Sequence, residues 1–257
     1  MLPPTQRFSD RVADYVRYRP SYPADLVRRI MEIGGLNEGS VVADVGCGTG
    51  IFAQLLLDTG VKVFGVEPNA PMMEAAVNQL GGYPKFAMLN GTAERTGLTA
   101  DSVDAITAAQ AFHWFDQEPT RAEFRRILKP RGWVFLLWNE RDDKGSEFSR
   151  LYEQALLDCA PEYAKVGHRN TPDDDVLAWF QNPAATLERF DNSQFLDLDS
   201  FLGRAYSSSY VPAAGTAERE AITARLTDVF ERCQSDGLIE LKYETKLYYG
   251  QLDSLSA

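Results

Sequence analysis

Cysteine and histidine are scarce in this chain. Of its 257 residues, three are cysteine (Cys47, Cys159, Cys233) and two are histidine (His113, His168). Three cysteines set far apart form neither a disulfide framework nor a zinc-binding spacing. Two histidines make a histidine-based metal site unexpected, so no metal is expected. No run of about 18 apolar residues occurs, which excludes a conventional membrane-spanning helix. The opening Met-Leu-Pro-Pro-Thr-Gln-Arg-Phe lacks the apolar core of a secretion signal, so a cytoplasmic location is expected. Positive charge is also short: 26 Lys and Arg stand against 37 Asp and Glu, for a net charge of −11. Such a surface repels phosphate backbones, and no nucleic-acid partner is expected. There is no repeat, low-complexity tract or flexible linker. The length and the ordinary apolar share of 44% suit one α/β domain, as a monomer or weak homodimer.

The most informative stretch is Val41 to Gly50, Val-Val-Ala-Asp-Val-Gly-Cys-Gly-Thr-Gly. Its first five residues read as a buried parallel strand with Asp44 near the end. Glycines 46, 48 and 50 impose a tight turn, and Ile51 to Leu57 resume as a helix. Strand, glycine turn and helix build a cofactor site at the carboxyl end of the first strand of an open sheet. The dinucleotide pattern G-x-G-x-x-G would need a glycine where Ile51 stands, and no Lys-Ser or Lys-Thr follows for a phosphate loop. The ten residues instead resemble motif I of the class I S-adenosylmethionine-dependent methyltransferases. The resemblance implies a doubly wound seven-stranded sheet, a Rossmann-like methyltransferase fold with one antiparallel strand and a helical cap. In that family the acidic residue and the glycine turn hold the methionine end of the cofactor, which here points to Asp44, Gly46, Cys47 and Gly48. Cys47 itself reads mainly as a small filler in the turn.

Further stretches extend the resemblance. Val61 to Val66 read as strand two and end in Glu67-Pro68-Asn69. An ionised carboxylate there can accept two hydrogen bonds from a ribose diol, and the resemblance makes Glu67 the ribose binder. Pro71 to Leu80 read as a helix; Met72 either covers the adenine or belongs to the core. Lys85 to Leu89 are strand three. Ala93 and Glu94 resemble the adenine loop, although Glu94 reads equally as a helix-start acid. Val103 to Ala109 are strand four, leading to Gln110-Ala111-Phe112-His113-Trp114-Phe115. This segment resembles the motif IV region of the type 11 group, which includes methyltransferases of small carboxylic acids such as trans-aconitate. Asp116 to Leu128 read as a helix and Trp133 to Trp138 as strand five.

The flanks are less specific. The segment up to Pro23 carries Tyr15, Tyr18 and Arg19 and reads as a lid, as a helix packed on the sheet, or both. Pro23 to Ile33 read as a second helix. Beyond Asn139, helices are expected over 148–159, 174–180 and 217–234, strands over 186–195 and 241–249, and a polar aromatic loop at Tyr206 to Pro212. The expected organisation is lid helices in 1–40, a cofactor core in 41–138, and a cap with the last strands in 139–257.

The resulting expectation is a methyltransferase acting on a small molecule, with a carboxylic acid among the candidate acceptors. The cofactor is expected against Arg19, Asp44, Gly46, Cys47, Gly48, Glu67, Pro68, Met72, Ala93, Glu94, Gln110, Ala111 and Trp114. The acceptor is expected against Tyr15, Tyr18, His113, Tyr206 and Tyr210. His113 is the candidate general base, since imidazole titrates near neutrality, but it serves equally as an orienter or a structural group. Arg19 suits either an anionic acceptor or the cofactor's own carboxylate. A non-catalytic S-adenosylmethionine-binding module and an NAD-type oxidoreductase remain as alternatives.

Overall fold

Short apolar runs without polar alternation are what strands covered on both faces require. In the computed structural model, which describes residues 12–163 and 171–252, they form the centre of a seven-stranded sheet. The strands are β1 (Val41–Val45), β2 (Lys62–Val66), β3 (Phe86–Leu89), β4 (Val103–Ala109), β5 (Leu128–Arg141), β6 (Thr186–Leu196) and β7 (Ile239–Gly250). Their order is β3-β2-β1-β4-β5-β7-β6, and β7 alone runs antiparallel to its neighbours. Strand β1 lies between β2 and β4, so the chain reverses its winding there and opens a crevice at the strands' carboxyl ends.

Helices cover both faces. On one side α2 (Ala24–Gly34) and α3 (Ile51–Leu57) bury Leu26, Ile30, Phe52 and Leu56 against Val42, Val63, Phe135 and Leu137. On the other, α5 (Gln117–Ile127) and α7 (Asp173–Trp179) bury Phe124, Ile127, Val176 and Trp179 against Val45, Ile106 and Leu136. The helix α4 (Ala70–Leu80) begins with Asn69, whose side chain accepts from the Met72 N–H and satisfies an orphan donor of the first turn.

A separate hydrophobic cluster joins α6 (Glu147–Cys159), α8 (Leu198–Tyr206) and α9 (Ala217–Cys233) to Leu241 and Tyr243 of β7. The short α1 (Val12–Tyr18) has no buried residue of its own and leans on α8.

Two expectations need correction. The expected loop from Tyr206 begins inside a helix, α8, which the sequence reading did not include. Asp197 caps it by accepting from the Ser200 N–H, and Phe201 and Ala205 bury its inner face. Strand β5 also runs past Trp138 to Arg141, because β7 pairs with it through Arg141↔Tyr243. That extension carries Asn139 and Arg141 into the crevice.

Candidate active site

The glycine turn after β1 is held by strand β2. The N–H groups of Gly46 and Cys47 both donate to the Val66 carbonyl, at 2.8 and 3.2 Å. Gly46 and Gly48 have φ of +69° and +56°, a left-handed backbone that side chains disfavour. A Cβ on Gly46 would fall 2.6 Å from that of Ala111, whereas Gly48 borders open space. Glu67 faces this turn. Its Oε2 accepts from the Gly48 N–H and its Oε1 from the Asn69 N–H, each at 3.0 Å. Burial pushes its pKa up, and the two N–H bonds oppose that shift. Each carboxylate oxygen retains acceptor capacity, so Glu67 is fixed in place before any diol arrives.

Asp44 lies beneath the turn, fully buried. Thr107 donates to its Oδ1 at 2.7 Å. Its Oδ2 and the nearby Thr49 Oγ1 are buried with no hydrogen-bond partner among the described residues. Burial, opposed by Thr107 and reinforced by the Glu67 charge, raises the Asp44 pKa to about 7.

The crevice divides into two lobes that share Tyr15, Gly46, Gly48, Gln110 and Trp114. Gln110 holds a φ of +58°, fixed by its N–H to the Leu137 carbonyl and its Nε2 to the Asn139 carbonyl. The smaller lobe, about 160 Å³, is walled by Glu67, Pro68, Met72, Ala93, Glu94 and Ala111. Met72 lines this lobe and is 3% exposed. Glu94 accepts from the N–H of Asp116, the residue before α5, at 2.9 Å; no helix begins at Glu94 itself, so the helix-start alternative does not hold. Burial would raise its pKa, but Thr92 and that N–H outweigh the effect and lower it.

The larger lobe, about 340 Å³, runs from Cys47 and Gly48 to the cap. Cys47 is buried there, and burial pushes its thiol pKa well up, which leaves it unreactive. Of the residues expected near an acceptor, Tyr15, His113 and Tyr210 line this lobe, and so does Arg19. The Trp138 Nε1–H donates to His113 Nδ1 at 3.4 Å.

Tyr18 and Tyr206 do not line either lobe. The Tyr18 ring is pressed onto α8, where a Cβ at Gly203 would meet its Cε2 at 2.2 Å. The Tyr206 hydroxyl pairs with Thr223 of α9 at 2.7 Å, under the Arg219 guanidinium. In their place the structure brings in residues the sequence reading missed: Tyr22, Asn139, Arg141, Glu153, Tyr163 and Arg204. Arg141 is paired with Glu153 and hydrogen-bonded to the Tyr163 hydroxyl. Among the described residues no group of three or more His, Cys, Asp or Glu is placed to hold a metal, and no helix is long and apolar enough to cross a membrane.

Residues 43–136, the span from β1 through most of β5, match the methyltransferase domain family. Over that span the chain is similar to the class I S-adenosylmethionine-dependent methyltransferases. An uncharacterized methyltransferase of Mycobacterium tuberculosis is 36% identical over 137 residues, 53% of this chain and 54% of that protein. A Saccharomyces cerevisiae protein named as a probable S-adenosylmethionine-dependent methyltransferase is 32% identical over 130 residues, 49% of this chain and 44% of that one. The chain thus spans about half the length of the curated relatives it matches. A protein of Anaeromyxobacter dehalogenans assigned as a type II methyltransferase shares the fold, with a TM-score of 0.65 at 23% identity, over 91% of this chain and 98% of that one. The match is to the methyltransferase domain as a class and does not distinguish the trans-aconitate type. It does set aside the NAD-type alternative.

The cofactor that such a methyltransferase domain implies is S-adenosylmethionine, and the crevice fits it on its own chemistry. The unpartnered buried oxygens of Asp44 and Thr49 lie at the turn, Gly48 leaves the wall open, and Glu67 offers two fixed acceptors.

Proposed function

We propose that the protein transfers a methyl group from S-adenosylmethionine to a small carboxylic acid held in the larger lobe. The observation that carries this reading is the lobe's charge. Among the described residues Arg19, Arg141 and Arg204 line it against a single carboxylate, Glu153, in a chain whose net charge is −11. Guanidinium groups match carboxylates through paired hydrogen bonds. The volume is that of a small-molecule pocket, and its aromatic walls exclude water.

In this reading residues 41–138 hold the cofactor, the described part of 1–40 forms the lid, and the described part of 139–257 supplies the cap and the last strands; residues 1–11, 164–170 and 253–257 lie outside the described residues. Glu67 takes the ribose, the residues around Met72, Ala93 and Glu94 take the base, and Asp44, the glycine turn and Arg19 serve the methionine end. Bound there, the cofactor would supply an electrophilic methyl group on a sulfonium, with the neutral thioether S-adenosylhomocysteine as the leaving group. The protein's own task is to align the acceptor and keep water out. A carboxylate needs no base. That agrees with His113, whose Nδ1 accepts from Trp138 and which here orients the acceptor rather than taking a proton from it.

Methyl-labelled S-adenosylmethionine incubated with a panel of carboxylic acids, phenols and amines tests the reading. The expected product is a labelled methyl ester that alkali releases as methanol. Label confined to a phenol or an amine would overturn the carboxylate assignment. Binding of S-adenosylhomocysteine with no transfer to any acceptor would favour a non-catalytic binding module.

A further inference from the structure

Resting on that reading, we propose that Arg204 of α8 is the specificity-determining residue for the acceptor: its guanidinium takes a carboxylate of the methyl acceptor, while Arg19 serves the cofactor's own carboxylate. No sequence motif marks Arg204. It is 7% exposed and lines the larger lobe. Its Nε donates to the Tyr243 hydroxyl at 3.0 Å and its Nη1 to Ser208 Oγ at 3.2 Å. These neutral partners set the plane of the fork without neutralising it, and they leave N–H donors over for a ligand.

The other buried arginines are treated differently. Arg141 is paired with Glu153, and Arg121 with Glu118 and the Trp179 carbonyl. Neither Arg204 nor Arg19 has a carboxylate partner among the described residues. An uncompensated buried charge is costly, and two side by side more so. They are side by side: Arg19 donates to the Ser207 carbonyl at 2.8 Å, one residue from the Ser208 hydroxyl that Arg204 holds. The Arg19 Nε is buried without a partner. Burial and then the charge of Arg204 lower the Arg19 pKa. Such a pair is explained by anions arriving from outside.

Position divides their work. Arg19 follows α1, stacks on Tyr15, and Tyr15 borders both lobes beside the glycine turn. Arg204 belongs to the cap, on α8, and lines the lobe with the cap residues Tyr210, Tyr163 and Glu153, none of which belongs to a motif of the cofactor core. The cofactor brings one carboxylate. The second guanidinium therefore answers to the acceptor.

The test compares wild type, Arg204→Met and Arg204→Lys on the best acid acceptor and its uncharged amide counterpart, and measures S-adenosylhomocysteine binding by calorimetry in each. The expectation for Arg204→Met is a rise in KM for the acid of at least about tenfold, as lost hydrogen bonds to a charged group require. The amide is expected to bind the variant as well as wild type, so acid-over-amide selectivity collapses, with S-adenosylhomocysteine affinity retained. Arg204→Lys keeps the charge and the fold, and is expected to keep the acid preference with a raised KM. Should Arg204→Met fail to fold, an unchanged KM for the acid in Arg204→Lys overturns the proposal. So does undiminished acid selectivity in Arg204→Met. A loss of S-adenosylhomocysteine binding matching that of Arg19→Met would assign Arg204 to the cofactor instead. Absence of S-adenosylhomocysteine binding by the wild type would overturn the methyltransferase reading itself, a separate outcome.

Discussion

Asp44 connects the buried end of β1 to the electrostatics of the crevice. Its Oδ2 has no partner among the described residues, and burial holds its pKa at about 7. A cationic sulfonium and ammonium above the glycine turn would favour the ionised form and lower that pKa in the complex. The sign follows: below pH 7 the free protein holds a proton that binding must release, so affinity rises with pH and levels once Asp44 is ionised. S-adenosylmethionine is expected to bind about tenfold more weakly at pH 6 than on the plateau, one pH step below the free pKa. Asp44→Asn is expected to flatten the profile. Calorimetry across pH 6 to 8 checks this, and a flat wild-type profile would contradict it. At this scale Asp44, Glu67 and the glycines were legible in the sequence because their chemistry is local: a strand end, a turn and a fixed offset. Arg204 and Arg141 were not. An arginine within an amphipathic helix or at a strand's end reads as solvated, and only Tyr243 and Ser208, or Glu153 and Tyr163, reveal that it is buried.

Among the elements, α1 is the one most weakly held. None of its residues is buried, and its main contact is the Tyr18 ring against Gly203 of α8. The Tyr18 carbonyl also accepts from Gln194 Nε2 at 3.1 Å. A Cβ at position 203 would lie 2.2 to 2.6 Å from three ring atoms, so Gly203→Ala must displace the ring. Overpacking of this kind costs about 1–3 kcal/mol. The cost is expected to fall on α1: hydrogen exchange over residues 12–18 accelerates while the sheet stays protected, and acceptor turnover drops because Tyr15 and Arg19 shift with the helix. Unchanged exchange there would show that Gly203 does not anchor the lid. The same geometry explains the misplaced tyrosines. Tyr206 stands two positions after Arg204, about 200° around the helix, so the two cannot share a face. Arg204 took the cavity and Tyr206 took α9. Helix α8 escaped notice because the polar run Ser207-Ser208-Ser209 blurred its end, although Asp197 and Ser200 form a readable cap. The central strands were legible from their apolar runs; the length of β5 was not, since β7, about a hundred residues later, sets it.

At the scale of the molecule, a strongly acidic chain encloses a lobe lined with more positive than negative groups. The domain match to methyltransferases runs from β1 through most of β5, and the proposed acceptor contact Arg204 belongs to the cap beyond it. The account depends most on the cofactor and on Glu67, whose loss removes two hydrogen bonds to a charged acceptor, at about 1.5–3 kcal/mol each. One calorimetric comparison tests it directly: S-adenosylhomocysteine and NAD titrated into wild type and Glu67→Ala. The account predicts one-to-one binding of S-adenosylhomocysteine, weakened at least about tenfold in the folded variant, and no heat from NAD. Tight NAD binding without an S-adenosylhomocysteine signal, or equal affinity in Glu67→Ala, would contradict it.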